Sequence, residues 1–274
     1  MRPYKLFLRK VNSVLLWLFP GSIYVQIARW SIPVFDPDRR DFNSKVRSHE
    51  CGYILNNTGG SIYFYSPYNV GRYLFTNPEH DIKKRMLRKY LGSYLEIPAR
   101  GVVIDVGANV GEFSLAVAEQ SACVYACEPD PGPYACLEKN LANLGGARCF
   151  RVAFGEKKGR LPFYISSQHN DSSFIKPATG VEKIEEIEVC TIDDFCSREE
   201  IKNVSLLKVE AEGYEPEILR GAVWALSNIV SLVAVDGGPE RNGQTTIDDC
   251  EEILHEKGFE TIREGTLLYG SKVV

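Results

Sequence analysis

The sequence predicts an α/β fold for residues 98–274: a mostly parallel sheet with helices on both faces and the last strand antiparallel. Three observations carry this prediction. Val102-Val103-Ile104, bounded by Gly101, is an apolar β-branched run suited to a strand buried on both faces, and a glycine turn and a helical pattern follow it directly. Further short apolar runs alternate with helical patterns down the chain, as in a doubly covered sheet. Asp105, Glu128, Glu210, Glu212 and Asp236 each fall at the carboxyl end of a run, the edge at which such sheets bind ligands.

Taken in order, residues 1–35 form an apolar and basic segment. Lys5, Arg9 and Lys10 precede an uncharged run from Val11 to Ala28 that Arg29 closes, with Pro20-Gly21 interrupting it. A spanning helix needs ~20 predominantly apolar residues, so a helix packed on the domain is the leading reading. An interfacial anchor giving peripheral membrane contact through residues 5–30 comes next, and a true span last. Residues 36–97 read as a polar linker to Ser48, then a small β-hairpin region and a helix. Tyr53-Ile54-Leu55 and Ser61-Ile62-Tyr63-Phe64-Tyr65 flank Asn56-Asn57-Thr58-Gly59-Gly60, a hairpin signal. Arg72-Tyr73-Leu74-Phe75 offers a third strand. Tyr53, Tyr63, Tyr65, Tyr68 and Tyr73 suit the cover of a small sheet better than a platform for an acceptor ring. Glu79–Leu91 reads as a helix closed by Gly92, with Met86, Leu87, Tyr90 and Leu91 on one face.

In the main domain, Cys123–Cys127 reads as the second strand and 133–144 as a helix with Pro133 in its first turn. Arg148–Phe154 is the third strand, and 161–166 with 187–191 an inserted strand pair. Val204–Val209 is a strand, Glu215–Leu226 its helix and Val230–Val235 the next strand. A helix over 246–257 leads to a hairpin about Glu264-Gly265.

The turn after the first strand is a cofactor cradle, because outward N–H groups and small residues let a ligand approach the backbone. A dinucleotide fingerprint needs G-x-G-x-x-G, but Gly107-Ala108-Asn109-Val110-Gly111 has Asn109 at the middle glycine and Asp105 ahead of the turn. A carboxylate gains nothing from a pyrophosphate. It suits the sulfonium and ammonium of S-adenosylmethionine. Glu128, ending the second strand before Pro129, is placed to accept both ribose hydroxyls of an adenosine. Ala153, at the end of the third strand, falls beside the adenine in such folds.

Asp105–Gly111, then Glu128-Pro129-Asp130-Pro131, then Leu207-Lys208-Val209-Glu210-Ala211-Glu212-Gly213, then Leu219-Arg220-Gly221-Ala222 together resemble the FkbM-type family of S-adenosylmethionine-dependent methyltransferases. The resemblance covers residues 98 to 270 and departs from the family at Glu210, where aspartate is usual. It implies the class I (Rossmann-like) methyltransferase fold with a seven-stranded sheet. It also implies O-methylation of a hydroxyl on a sugar, a glycolipid or polysaccharide component, or a secondary metabolite. A small-molecule or glycan acceptor is the partner it implies.

Methyl transfer to a hydroxyl needs alignment and a proton acceptor rather than a special nucleophile. Glu210, Glu212, His169 and Lys208 are the catalytic candidates, with Asp171 and Asp236 as further proton acceptors. Lys208 reads foremost as a salt-bridge partner that organises the acidic turn. Glu210 and Glu212, separated by Ala211, would share one face of an extended backbone. Magnesium held by Glu210, Glu212 and Asp236 is the less favoured alternative. A nicotinamide-dependent oxidoreductase and a non-catalytic S-adenosylmethionine-binding module stay open as alternative classes.

Composition excludes other classes. A net charge of −4 without a basic stripe argues against nucleic acid as a partner. Eight cysteines without a C-x-x-C pair, and four scattered histidines, fit structural thiols in a cytoplasmic setting and no zinc site.

Overall fold

A computed structural model of the chain describes residues 46–50, 52–57, 60–65, 78–118, 120, 123–166, 171–177, 180–241 and 243–272. Segment 1–35, Tyr68, the run Arg72–Phe75 and His169 lie outside the described residues. The described residues fall into two compact units divided after Ile82.

The first unit holds an antiparallel sheet of β1 (Val46–His49), β2 (Gly52–Asn57) and β3 (Gly60–Phe64), in that order. Tyr53 pairs with Phe64 and Leu55 with Ile62. Leu55, Ile62 and Phe64 on that face are buried, which is the cross-strand packing that holds a hairpin. Residues 46–48, which sequence places in a polar linker, instead belong to β1, because β2 supplies a pairing edge from Val46 to His49.

The second unit carries the seven-stranded sheet. Helix α1 (Pro78–Leu91), of which Lys83 onward belongs to this unit, ends at Gly92 in the left-handed region, φ 60. There follow β4 (Val102–Val106), α2 (Glu112–Ala118), β5 (Cys123–Cys127), α3 (Pro131–Leu141) and β6 (Ala147–Phe150). Next come β7 (Ala153–Phe154), β8 (Gly159–Ser166), β9 (Val181–Cys190) and α4 (Ile192–Arg198). The chain continues through β10 (Val204–Val209), α5 (Glu215–Arg220), α6 (Val223–Asn228), β11 (Val230–Asp236), α7 (Ile247–Glu256), β12 (Phe259–Glu264) and β13 (Leu267–Lys272). Strand order is β12-β13-β11-β10-β4-β5-β6. Pairing is parallel from β11 to β6, and β13 runs antiparallel between β11 and β12. This is the class I methyltransferase arrangement. The order reverses between β4 and β10, which opens a crevice at their carboxyl ends.

Alternation along the strands separates the two faces. Ile104, Val106, Leu207, Val209, Val233 and Val235 share one cluster with Phe195, Leu219, Leu226 and Leu254. Asp105 and Lys208 belong to the opposite face and stand directly across from each other in the β4–β10 register.

Within this unit several elements differ from the sequence expectation. The third strand stops at Phe150, and Ala153-Phe154 pair instead with β9 in a separate sheet ordered β7-β9-β8. The helix expected over 215–226 breaks into α5 and α6 at Gly221. A Cβ there would lie 2.1 Å from the Gly155 carbonyl oxygen, and Asp193 accepts the Trp224 and Ala225 N–H groups that open α6. Helix α4 is new. Its signal was Thr191, whose hydroxyl accepts the Asp194 N–H at 3.0 Å as an N-cap.

Candidate active site

At the end of β4 the chain turns through Gly107 (φ 69), Asn109 (φ 51) and Gly111 (φ 90). A Cβ at Gly107 would sit 1.8 Å from the Glu210 carbonyl oxygen, and one at Gly111 2.6 Å from Leu137. Glycine is required at both by space as well as by φ. The Gly107 and Ala108 N–H groups both donate to the Cys127 carbonyl at 3.0 Å, fastening the turn to the end of β5.

Glu128 completes that junction. Its carboxylate accepts the Asn109 N–H and the Asp130 N–H, each at 2.8 Å. Burial to 6% exposure, then the charge of Asp130, pushes the carboxyl up to about 8 against the pull of those two N–H groups. When ionised, each oxygen keeps a second lone pair for a ligand hydroxyl, and when protonated one of them donates to it instead. Gly107, Ala108, Asn109 and Glu128 are therefore one hydrogen-bonded unit, with Pro129 joining Glu128 to the N-cap Asp130. Ala153 is buried in β7, opposite Val189.

Asp105 behaves otherwise than its place ahead of the turn suggested. It is fully buried, accepts the Ser114 hydroxyl at 2.6 Å and pairs with the Lys208 ammonium at 2.9 Å. Its charge is taken up inside the fold, because parallel register sets Lys208 opposite it. Lys208, 2% exposed, also donates to the Val106 and Gly107 carbonyls at 3.1 and 2.8 Å, and stands 3.6 Å from Glu210. Burial works against its charge, but Asp105 and Glu210 outweigh that, and its pKa lies above the usual lysine value.

The acidic turn begins where β10 ends. Glu212 (φ 51) and Gly213 (φ 95) are left-handed, so Glu210 and Glu212 do not share a face of an extended strand. Fully buried Glu215 shapes the turn. It accepts the Ala211 and Gly213 N–H groups at 2.9 and 3.0 Å and the Thr246 hydroxyl at 2.7 Å. Arg241 holds the Gly213 carbonyl at 2.7 Å and Glu217 at 2.6 Å.

The two acids of the turn are driven apart. Burial alone would raise Glu210, but Lys89 and Lys208 hold its carboxyl far below the usual range, aided by hydrogen bonds from Lys89 at 2.7 Å and the Tyr90 hydroxyl. Burial and then the negative charge of Glu210, Glu240, Glu215 and Asp171 push Glu212 up to about 9.

Lys89 and Tyr90 were missed from sequence, because α1 reads there only as an amphipathic helix. Lys89 bridges the ends of two adjacent strands, 2.7 Å from Glu210 and 2.7 Å from Asp236. Asp236 also accepts the Thr266 hydroxyl at 2.8 Å, and the Tyr269 hydroxyl fixes the Lys89 carbonyl at 2.6 Å. Among the described residues no group of three or more His, Cys, Asp or Glu could hold a metal ion. An ammonium already stands between Glu210 and Asp236.

The family model described as the methyltransferase FkbM domain matches residues 105–261. The chain is 24% identical over 152 residues to the 2-O-methyltransferase NoeI of Sinorhizobium fredii, covering 49% of this chain and 62% of that one. It is 29% identical over 223 residues to the 31-O-demethyl-FK506 methyltransferase FkbM of Streptomyces tacrolimicus, covering 66% and 81%. The hexuronic acid methyltransferase AglP of Haloferax volcanii is 28% identical over 136 residues, covering 47% and 52%. A crystal structure of methyltransferase FkbM from Methylobacillus flagellatus superposes with TM-score 0.48 at 16% identity, covering 95% of this chain and 58% of that one. The match thus spans less than two thirds of the length of NoeI, of AglP and of the solved structure.

Proposed function

The chain belongs to the FkbM-type family of S-adenosylmethionine-dependent methyltransferases, and from that membership we propose that it methylates a hydroxyl of a sugar, a glycolipid or polysaccharide component, or a secondary metabolite. Names of the relatives support the acceptor class, since one is a hexuronic acid methyltransferase and another acts on 31-O-demethyl-FK506. The observation that carries the reading is the junction of Asn109 and Glu128 at 2.8 Å, which joins the glycine turn to a buried acid with lone pairs to spare.

That cradle fits S-adenosylmethionine. Gly107 and Gly111 leave no room for side chains, Glu128 would hold the ribose hydroxyls, and Pro129 and Ala153 would flank the adenine. When bound, the cofactor supplies an electrophilic methyl group. The remaining work falls to the chain. Glu212, with its high proton affinity and acidic neighbours, is assigned the proton of the acceptor hydroxyl. Glu210 is too firmly ionised to be a good base. With Lys89 and Asp236 it is assigned to orient the acceptor, since the three side chains are 29%, 30% and 16% exposed, unlike the sealed Lys208–Asp105 pair. His169 is the alternative base. Lys208 keeps Asp105 and Glu210 in place.

Methyl-labelled S-adenosylmethionine, offered with glycan and small-metabolite fractions, should give a product heavier by one labelled methyl group. Label that reaches no hydroxyl in any fraction would count against the activity. The basic and apolar residues 5–30 support a further proposal, peripheral membrane contact by a cytoplasmic protein. The full chain should then float with anionic liposomes and a chain starting near Asp36 should not. Among the described residues no helix is long and apolar enough to cross a membrane.

A further inference from the structure

Ser172 and Ser173 are neighbours in sequence but are anchored on different halves of the site. The Ser172 hydroxyl donates to Asp130 Oδ2 at 2.7 Å and accepts the Ser166 N–H at 3.0 Å. The Ser173 hydroxyl lies 2.9 and 3.1 Å from the Ala211 and Glu212 carbonyls and accepts the Ile175 N–H at 3.1 Å. The Ser173 backbone is itself fixed, since its N–H and carbonyl both bond Tyr164 of β8, at 3.1 and 2.8 Å. On such an extended bridge successive side chains leave on opposite sides, which lets one hydroxyl reach Asp130 and the next reach the acidic turn.

The anchors stand beyond the carboxyl ends of β5 and β10, one on either side of β4 in the sheet. From Asp130 the connection runs on through its N–H to Glu128, and from Glu128 to the Asn109 N–H. A continuous path of hydrogen bonds, carried covalently through Asp130 and through the Ser172–Ser173 peptide, therefore leads from the glycine turn, past the acid assigned to the ribose, to the carbonyls of Ala211 and Glu212.

We propose that Ser172 and Ser173 are positioning residues that couple the cofactor cradle to the acidic turn, so that filling the cradle orders the backbone carrying Glu212. This rests on the cradle being the S-adenosylmethionine site, and it goes further, making placement of the proton acceptor depend on cofactor occupancy. Each hydroxyl serves one half of the site, and the single peptide bond between them transmits the constraint.

The test uses the full chain, with S-adenosylhomocysteine as the probe and amide hydrogen exchange at Ala211 and Gly213 as the readout. Saturating probe should slow exchange at these two amides by roughly 10-fold in the wild type. In Ser172→Ala, which removes the bonds to Asp130 and to the Ser166 N–H but none to the acidic turn, that slowing should shrink severalfold even at saturation, and Ser172→Thr should restore it. A merely structural role would raise exchange with and without probe alike, leaving the ratio unchanged. An equal ratio in wild type and Ser172→Ala overturns the coupling while leaving the cofactor reading standing. Failure of the wild type to bind the probe in calorimetry overturns both.

Discussion

Lys208 and Asp105 face each other across adjacent parallel strands, 2.9 Å apart and closed to solvent. The pair lies directly beneath the glycine turn, because the same ammonium holds the Gly107 carbonyl. Removing one partner leaves the other charge buried and uncompensated. Lys208→Met is expected to cost ~3–5 kcal/mol of stability, read by urea unfolding, and Lys208→Met with Asp105→Leu should recover part of it. Equal stability of Lys208→Met and wild type would show the pair to be dispensable.

Gly107→Ala places a methyl group against the Glu210 carbonyl oxygen, 1.8 Å away before any shift, at a φ of 69. The φ alone costs about 1 kcal/mol, and the clash must push the acidic turn away from β4. The variant should melt lower than wild type and lose S-adenosylhomocysteine binding in calorimetry. Wild-type affinity would mean that the two turns are not held against each other.

Glu128→Ala should weaken cofactor affinity by about 1–3 kcal/mol, at ~0.5–1.5 kcal/mol for each of two ribose hydrogen bonds. Calorimetry with S-adenosylhomocysteine measures this directly. Unchanged affinity would remove Glu128 from the site.

The raised acids also set a pH dependence of stability. Glu128 and Glu212 ionise at about 8 and about 9 in the folded protein, against 4.5 ordinarily. Between these limits the folded state retains protons that the unfolded chain has released, so stability falls as pH rises. Glu210 contributes oppositely, with stability present above its ordinary value and lost in strong acid as pH falls through its depressed one. The melting temperature of the ligand-free protein should therefore drop from pH 5 to pH 9, and Glu128→Gln should flatten that decline. A melting temperature that rises over the window would contradict the assignment.

Much of this was legible in sequence because it is local. Val102–Val106 followed by glycines declares strand and turn, and Cys123–Cys127 ending at Glu128 declares the next strand and its acid. Lys89 could not be read in the same way. It acts 121 residues away from Glu210, and nothing around it on α1 distinguishes it from a solvated lysine. The pairing of Asp105 with Lys208 was hidden for a related reason. The position of Asp105 ahead of the turn is visible in the sequence, but the strand that neutralises it arrives about a hundred residues later. Glu210 and Glu212 were placed on one face by alternation, which holds only while the backbone stays extended. The left-handed Glu212 and Gly213 and the buried Glu215 end that extension, and the two acids meet different neighbours, Lys89 and Lys208 beside Glu210 but burial and other carboxylates around Glu212.

Glu212, rather than Glu210 or His169, is the proposed acceptor of the proton during methyl transfer. The most direct measurement is the single-turnover rate of methyl transfer to the acceptor found by the labelling screen, for Glu212→Gln, Glu210→Gln and His169→Ala, followed from pH 6 to pH 10. Wild type should accelerate with pH and level off near 9. Glu212→Gln should be slower by roughly 10²–10⁴, with the pH rise abolished and cofactor affinity nearly intact. His169→Ala should lose less and keep the rise. A dead His169→Ala beside an active Glu212→Gln with the wild-type pH profile would contradict the account.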